Sequence, residues 1–129
     1  DFATLTGAAR VALGTEFPAL FTNNDTLAED IMNEGIKQID PMWRLPLFKP
    51  YNKQLDKNNN AISSTGSSGT GGAITAALFL NRFIDKNTNW AHVDLMAWNT
   101  SSRPGFPMGG EAMGLRSIVN MIIKYCSKS

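Results

Sequence analysis

The sequence predicts an α/β fold in which short strands alternate with helices. Three observations support this prediction. Short apolar runs are separated by turn-forming residues, which is typical of strands. Other segments repeat apolar residues at helical spacing. The two kinds of segment alternate along 129 residues, a length that suits one domain, and the sequence contains no internal repeat.

Composition and charge exclude several classes of protein. The formal net charge is +1, and only a mildly basic C-terminal tail with Lys124 and Lys128 stands out, so neither a nucleic acid nor an anionic membrane is indicated as a partner. The single cysteine, Cys126, allows no internal disulfide and no zinc-finger spacing. With no signal peptide and no apolar run approaching about 18 residues, a reducing cytoplasm is the predicted compartment.

The first part of the chain is predicted to form two or three short strands. The apolar runs are FATL, RVALG and PALFTN, and turn residues separate them at Thr6-Gly7 and between Gly14 and Pro18. Exposed terminal residues are usually polar and loosely held, so an apolar run at the start of a chain is typical of interior sequence. We therefore expect the chain to continue a longer protein.

An amphipathic helix is predicted from Asn23 to Asp40. Thr26, followed three residues later by Glu29, resembles a capping box at the start of this helix. Apolar or small residues then recur at helical spacing, which leaves the charged residues on the outer face. The spacing-matched residues are Leu27, Ala28, Ile31, Met32, Gly35 and Ile39.

An irregular crossing is predicted after this helix. Three prolines between residues 41 and 50 exclude a long helix there. A short helix is expected from about Tyr51. The two large aromatic residues of the crossing, Trp43 and Phe48, are expected to anchor it.

A polar segment rich in glycine and serine, DKNNNAISSTGSSGTGG, precedes an apolar helix with the sequence AITAALFLNRFI. Backbone amides in such a loop can hold an anion or a substrate carboxylate at a helix N-terminus. Neither a Gly-Lys-Ser/Thr sequence nor GxGxxG is present, which disfavours a phosphate loop, and no Gly-x-Ser-x-Gly elbow indicates a serine nucleophile. A substrate-lining loop and a plain helix entry both remain open.

A central strand is predicted in WAHVDLMAW, and a final helix is predicted from Glu111 to Cys126. Turn-like segments, DKNTN and NTSSRPGFPMGG, flank the strand. The thiol of Cys126 is expected to behave as a small hydrophobe on the apolar stripe of the helix. This stripe consists of Leu115, Ile118, Val119, Ile122 and Cys126.

His92 and Asp94 are the candidate chemical groups of the central strand. They supply at most two ligands on one face, fewer than a zinc site needs. His92, the only histidine, is therefore interpreted as a hydrogen-bonded core residue. Asp94 lies near the C-terminal end of the strand, where α/β sites gather. A carboxylate that accepts hydrogen bonds from the amides of a neighbouring loop is nevertheless the commoner arrangement.

No complete catalytic constellation is present in these residues. Small and hydroxyl residues, Thr4, Thr6 and Gly7, lie at the end of the first predicted strand. Together with the glycine-rich loop and the strand end from Met96 to Asn99, they form a candidate pocket wall. The residues by themselves therefore predict a binding surface rather than a reaction centre.

Five separated blocks, in order and at suitable spacing, make the sequence recognisable. They are DFATLTGAARVALG, WRLPLF, GGAITAALFLNRF, WAHVDLMAW and GGEAMGLRSIV. Across nearly the whole chain the sequence resembles the C-terminal half of the catalytic domain of the leucyl (cytosol) aminopeptidase family. The resemblance implies a central mixed sheet with helices on both faces, of which residues 1–129 are the C-terminal portion. It also implies that an upstream metal-ligand segment and an N-terminal domain are absent from this chain.

The resemblance implies the activity of hexameric, cytoplasmic exopeptidases that remove N-terminal residues, often leucine, from peptides. In that family, a lysine and carboxylates upstream of the ATLTGA block bind two divalent ions, zinc or manganese. A second lysine and an arginine there assist catalysis, and none of these residues is in this sequence. We therefore expect a metallo-aminopeptidase as the full-length protein, inactivity for the 129-residue portion alone, and no catalytic or metal-ligating residue in this chain.

The resemblance assigns substrate-binding roles to the first block. In the family, the equivalents of Thr4, Leu5 and Gly7 line the site, the leucine through its backbone carbonyl. A backbone acceptor can orient the amide of a substrate, and glycine leaves room for the side chain of the residue being removed.

Two later segments are expected to complete the wall. The loop after AHVD closes the same pocket in the family, which points to Met96 and Asn99. Many relatives have Ile-Ala-Gly after the aspartate where this chain has Leu95-Met96-Ala97, so the methionine is expected to reshape the pocket. Thr65, in the glycine-rich loop, is expected to flank the leaving peptide.

A second interpretation belongs to a different class of protein. A non-catalytic polypeptide could keep the aminopeptidase scaffold as a binding or assembly module. The two interpretations differ in one feature, which is whether the full-length protein carries the lysine and carboxylate ligands. The sequence leaves open the metal identity, the preferred N-terminal residue and any secondary role such as DNA binding.

Overall fold

A computed structural model describes residues 1–57 and 61–127. Residues 58–60 of the glycine-rich segment, and Lys128 of the basic tail, lie outside the described residues. The elements are, in order, β1 (Phe2–Ala3), α1 (Gly7–Leu13), β2 (Ala19–Thr22), α2 (Asp25–Lys37), β3 (Trp43–Arg44), a 3₁₀ helix (Lys49–Gln54), α3 (Gly72–Asn81), β4 (Ala91–Asp94), β5 (Trp98–Asn99), β6 (Gly109–Gly110) and α4 (Leu115–Cys126).

The sheet is mixed, as predicted. Its strand order is β1-β4-β2-β3, with β4 parallel to β1 and antiparallel to β2, and with β2 parallel to β3. The predicted central strand is confirmed as β4, although it ends at Asp94 and the chain resumes extended structure only in β5. Because β1 and β4 are parallel neighbours, the residues that follow them meet at one edge of the sheet.

Helices pack on both faces of this sheet, because successive strand residues point to opposite faces. Leu20 of β2 and Val93 of β4 pack on one face in a core that includes residues of α2 and α4. Ala19 and Phe21 of β2 pack on the other face with residues of α1 and α3. The predicted architecture is therefore confirmed. Among the described residues, no helix is both long enough and apolar enough to cross a membrane.

The RVALG run is a helix, and its prediction as a strand is wrong. Residues 7–13 form α1, and the hydroxyl of Thr6 caps it by accepting the N–H of Ala9. Gly14 ends the helix with φ 85° and donates its N–H to the carbonyl of Arg10. The alternating apolar residues, Val11 and Leu13, are typical of a strand, but Val11 is 86% exposed and packs in no sheet. Capping at both ends decides the local structure.

Helix α2 confirms the predicted amphipathic helix but begins with a different cap. The side chain of Asn24 accepts the N–H of Leu27 at 2.9 Å, so the helix begins at Asp25 and the proposed capping box at Thr26 is wrong. Asparagine is among the best N-cap residues. It precedes the threonine by two positions and therefore sets the start of the helix.

The crossing after α2 is irregular, as predicted, and contains β3 and the short 3₁₀ helix. The expectation that Trp43 and Phe48 anchor it is wrong, because both side chains are about half exposed, at 57% and 47%. Met42 and Leu55 are buried in their place. The aromatic residues make surface ring contacts instead, Phe48 edge-on to Tyr51 at 4.9 Å.

Helix α3 confirms the predicted apolar helix. Gly71 precedes it with φ 66°, and a Cβ at this position would lie 2.9 Å from the ring of Tyr51. Only glycine fits such a left-handed, crowded position. The end of the glycine-rich loop is therefore packed tightly against the 3₁₀ helix.

Helix α4 confirms the predicted final helix but not its buried face. The exposed residues of the predicted stripe are Leu115, Val119, Ile122 and Cys126. The thiol is therefore not packed as a small hydrophobe. Ser117 and Met121 are buried in their place, and the hydroxyl of Ser117 donates to the carbonyl of Asp40 at 2.5 Å. This tether fixes the rotation of the helix, which apolar spacing alone does not determine.

Candidate functional site

The side chain of Asp94 organises the edge where β1 and β4 end. It is 2% exposed, and its Oδ1 accepts the backbone N–H groups of Leu5 and Thr6 at 3.0 and 3.1 Å. Its Oδ2 accepts the hydroxyl of Thr6 at 2.6 Å. The interpretation of Asp94 as a carboxylate that holds the amides of a neighbouring loop is confirmed. Three hydrogen bonds thus lock the segment after β1 to the end of β4.

Thr6 connects the Asp94 anchor to the N-terminus of helix α1. Its hydroxyl donates to Asp94 and accepts the N–H of Ala9 at 3.1 Å, so one oxygen links the strand end to the helix N-terminus. N-cap bonds of this kind fix where a helix begins. The direction of α1 is therefore set from the sheet edge.

A first pocket of about 190 Å³ lies beside this anchor. Thr4, Gly7 and Met96, which the sequence assigned to the substrate wall, all line it. Asp94 and Arg10 also line it. The structure thus brings together predicted residues that are up to 92 positions apart in the sequence, since β1 and β4 pair in parallel.

A second pocket of about 300 Å³ shares the wall residue Thr6 with the first. Leu5 and Thr65, the two remaining wall residues of the first block and the glycine-rich loop, line this second pocket. The loop is held by the hydroxyl of Ser63, which donates to the carbonyl of Thr65 at 2.7 Å. A Cβ at Gly66 would lie 3.1 Å from the hydroxyl of Thr75 in α3. The loop therefore approaches α3 closely through a glycine.

Asn99 lies apart from the two pockets and lines neither. It is 4% exposed in β5, and its amide donates to the carbonyl of Pro107 and to Oε2 of Glu111. These bonds close the β5–β6 hairpin, whose first strand begins two residues after Met96. Asn99 thereby fixes the segment that follows the pocket.

His92 is a core residue, as interpreted from the sequence. It is fully buried, its ring is nearly parallel to those of Trp90 and Phe21 at centroid distances of 6.2 and 6.0 Å, and its Nδ1 lies 2.8 Å from Oδ2 of Asp1. Burial lowers the pKa of His92, although the charge of Asp94 opposes that effect. Across the described residues, its Nε2 has no hydrogen-bond partner.

Side chains of the types that bind metal ions do not cluster in the described part of the chain. Within residues 1–57 and 61–127, no three side chains of His, Cys, Asp or Glu lie close enough together to hold a metal ion. Both carboxylate oxygens of Asp94, which lines the first pocket, already accept hydrogen bonds from Leu5 and Thr6. The described residues therefore do not fit a metal centre on their own.

Sequence reasoning missed Arg10 as a residue of the site, because it placed this residue in a strand. A signal for the correct structure was present. Thr6 and Gly14 have the spacing of an N-cap and a C-terminal glycine for a two-turn helix. On such a helix, positions 7 and 10 share one face, which would have placed Arg10 beside Gly7.

Comparisons with known proteins agree on one family. A family model described as the cytosol aminopeptidase family, catalytic domain, matches residues 1–119. A probable cytosol aminopeptidase of Chlamydia caviae is 40% identical over 131 aligned residues, which cover 99% of this chain and 26% of that protein. A probable cytosol aminopeptidase of Rhodopseudomonas palustris strain TIE-1 is 43% identical over 128 residues, which cover 97% of this chain and 25% of that protein.

Solved structures show the same similarity in three dimensions. A crystal structure of cytosol aminopeptidase from Coxiella burnetii matches with a TM-score of 0.90 and 48% identity, over 96% of this chain and 27% of that one. A K354E mutant of tomato leucine aminopeptidase matches with a TM-score of 0.82 and 34% identity, over 96% of this chain and 24% of that one. The chain thus spans about a quarter of the length of the curated relatives it matches.

Proposed function

Because this chain belongs to the cytosol aminopeptidase family, we propose that the full-length protein is a metallo-aminopeptidase that removes N-terminal residues from peptides. Residues 1–129 are then the C-terminal portion of its catalytic domain, and other segments supply the metal ligands and an N-terminal domain. The observation that carries this proposal is the pair of pockets at the Asp94 anchor: the first is lined by residues of the first and fourth blocks, and the second by residues of the first block, the glycine-rich loop and the third block.

The role proposed for this portion is to position the peptide. The first pocket receives the side chain of the residue being removed, between Thr4, Gly7 and Met96. Its limited volume, about 190 Å³, suits one side chain. The second pocket lies on the side of the leaving peptide, with Thr65 in its wall. Leu5 lines the second pocket, and its backbone carbonyl is proposed to accept a hydrogen bond from the backbone of the substrate.

Asn99 has an indirect place in this proposal. Its amide is committed to Pro107 and Glu111, so it shapes the loop after Met96. A firmly held loop keeps the methionine side chain in the wall of the first pocket. Asn99 is then a support of the substrate wall.

Two divalent ions, zinc or manganese, are proposed for the full-length enzyme. Following the family resemblance, their ligands are assigned to segments other than residues 1–129, and within residues 1–57 and 61–127 no three side chains of His, Cys, Asp or Glu are close enough to hold an ion. The proposal extends to a homo-hexamer in the cytoplasm, with peptides as substrates and with neither membrane nor nucleic acid as a partner. The portion alone is proposed to be inactive.

The proposal is tested with the full-length protein on a panel of aminoacyl amides, with manganese, cobalt or zinc added. We expect metal-dependent release of the N-terminal residue. Absence of hydrolysis with every metal would favour the alternative, a scaffold or binding module that keeps the aminopeptidase fold.

A pair of glycine variants tests the pocket itself. A Cβ at Gly7 would have only an ordinary contact, 3.7 Å from Nη2 of Arg10, so the first atom of a new side chain fits, and the two methyl groups in Gly7→Val are expected to occupy part of the first pocket. We expect kcat/KM for leucine amide to fall by about tenfold or more, since a loss of about 1.4 kcal/mol of binding is tenfold. Gly110→Val is the matched control, because a Cβ there meets nothing within 4 Å. Equal activity of the two variants would contradict the assigned wall.

A further inference from the structure

We propose that Arg10 makes the first pocket selective for peptides whose N-terminal residue carries a side-chain carboxylate, glutamate or aspartate. The inference rests on the proposed function, because it assigns a preference to the same pocket. It follows from where the guanidinium lies and from the absence of a carboxylate partner for it in the described part of the chain.

The position of Arg10 comes from helix α1. Arg10 follows Gly7 by three residues, so both lie on one face of the helix. Its Nη2 is 3.7 Å from the point that a Cβ on Gly7 would occupy, and its Nη1 is 3.9 Å from Sδ of Met96. The guanidinium therefore reaches from α1 to the segment after β4, between two residues of the proposed wall.

The charge of Arg10 has no carboxylate partner among residues 1–57 and 61–127, where no ion pair includes it. Three other arginines do have one: Arg44 pairs with Asp25, Arg82 with Asp56 and Arg103 with Glu16. The sulfur of Met96 is only a weak acceptor, so a stronger acceptor would replace it readily. Arg10 thus presents an available cation.

Asp94 does not cancel this cation for an incoming ligand. Although Asp94 lines the same pocket, it is 2% exposed and its two oxygens accept three hydrogen bonds from Leu5 and Thr6. Its charge is turned toward the loop after β1. The exposed charge of the wall is therefore positive, and it belongs to Arg10.

The chemistry of a guanidinium selects the ligand. A carboxylate can accept two parallel hydrogen bonds from its planar fork, which a neutral side chain does not match. An N-terminal lysine or arginine would instead place a second cation beside Arg10. A leucine side chain gains nothing from the guanidinium. The pocket should therefore rank acidic above neutral and neutral above basic N-terminal residues.

The sharpest test compares glutamyl and glutaminyl amides, which have nearly the same shape and differ in charge. With the full-length protein and its activating metal, we expect kcat/KM to be at least about tenfold higher for the glutamyl amide. Arg10→Gln should remove most of that ratio, Arg10→Lys should retain part of it, and Arg10→Glu should move the preference toward lysyl amide. Because exposed charges are screened by salt, the ratio should also fall as ionic strength rises.

Lys86→Gln is the matched control, because it removes the same charge from an exposed residue that lines neither the first nor the second pocket. It should leave the ratio unchanged. A ratio that is the same in wild type and in Arg10→Gln, with leucine amide still hydrolysed, overturns the inference and leaves the proposed function standing. No hydrolysis of any amide overturns both. If Arg10→Gln does not fold, a salt-independent ratio in the wild type is the overturning result.

Discussion

Two buried aspartates, Asp94 and Asp40, do the same structural work in different regions of the molecule. Each accepts several N–H groups from a distant segment and so fixes the beginning of a helix, α1 in the first case and α4 in the second. Asp94 lines the first pocket, whereas Asp40 is enclosed where α2 and α4 pack together. A buried, fully bonded carboxylate is therefore not by itself a sign of catalysis.

The Asp40 anchor is the more extensive of the two. Its Oδ1 accepts the N–H of Gly114 at 2.9 Å, and its Oδ2 accepts those of Arg116 and Ser117 at 2.9 and 3.3 Å. The hydroxyl of Ser117 returns a bond to the carbonyl of Asp40. Negative charge at a helix N-terminus is favourable in addition to these bonds. This anchor joins the two helices that cover one face of the sheet.

The difference between the anchors lies in what the held segment faces. The segment held by Asp40 contributes Ser117 to a packed helix interface, so the Asp40 anchor contributes to the stability of the fold. The segment held by Asp94 carries Thr4 and Gly7, which line the first pocket, so the Asp94 anchor contributes to the geometry of that pocket as well as to stability. Substitutions should separate the two, since one anchor should affect folding and the other both folding and substrate use.

The largest effect is expected at Asp40. Asp40→Ala removes an acceptor from three buried or part-buried N–H groups, and we expect it to lower the free energy of unfolding by about 3 to 5 kcal/mol. Urea unfolding of the full-length protein measures this loss. Glu29→Ala, at an exposed position of α2, is the control and should change stability by no more than about 0.5 kcal/mol. Similar losses in the two variants would contradict the role given to Asp40.

A smaller effect on stability but a larger one on activity is expected at Asp94. Asp94→Asn keeps one oxygen for the amides of Leu5 and Thr6 and replaces the other by a donor, which weakens the anchor. We expect kcat/KM of the full-length enzyme to fall by about tenfold, since small displacements of a substrate wall are costly. Asp40→Asn is the matched variant and should lower the unfolding midpoint without that loss of activity. If both variants lose activity in proportion to their stability, the distinction between the anchors fails.

The sequence predicted the architecture because its signals are redundant. Strands β2 and β4 and helices α2 and α3 each combine apolar spacing with turn residues at their ends, and all four were located correctly within a few residues. The mixed sheet with helices on both faces followed from the family resemblance and is confirmed. Five of the six expected wall residues line the two pockets, and four of these five lie in the sequence blocks whose strands end at this edge of the sheet.

The sequence prediction failed at two helices, for different reasons. In α1 the alternating apolar residues of RVALG outweighed the local cap signals of Thr6 and Gly14, while the bond from Thr6 to Asp94, 88 positions away, left no signal in the sequence. The buried face of α4 differs from its apolar stripe because Asp40 holds Ser117, which is 77 positions away. Arg10 was missed with α1, because its place in the pocket depends on helical spacing from Gly7. Tertiary hydrogen bonds of this kind leave no periodicity in the sequence.

The smallest effect is expected from the two helix caps, Thr6 of α1 and Asn24 of α2, which resemble each other in local geometry. Thr6→Val and Asn24→Ala each remove an oxygen that accepts a backbone N–H; Asn24→Ala should lower the free energy of unfolding by about 1 kcal/mol, and Thr6→Val by about 2 kcal/mol because it also removes the bond to the buried Asp94. Only Thr6 also donates to Asp94, so only Thr6→Val should raise KM, by severalfold. Thr6→Ser keeps the hydroxyl and should restore KM to its wild-type value.

Steady-state kinetics and urea unfolding of the full-length protein, measured on the same preparations, make the comparison. A rise in KM of equal size in Asn24→Ala would mean that loss of any helix cap disturbs the pocket, and the special link between the Asp94 anchor and substrate binding would then be wrong.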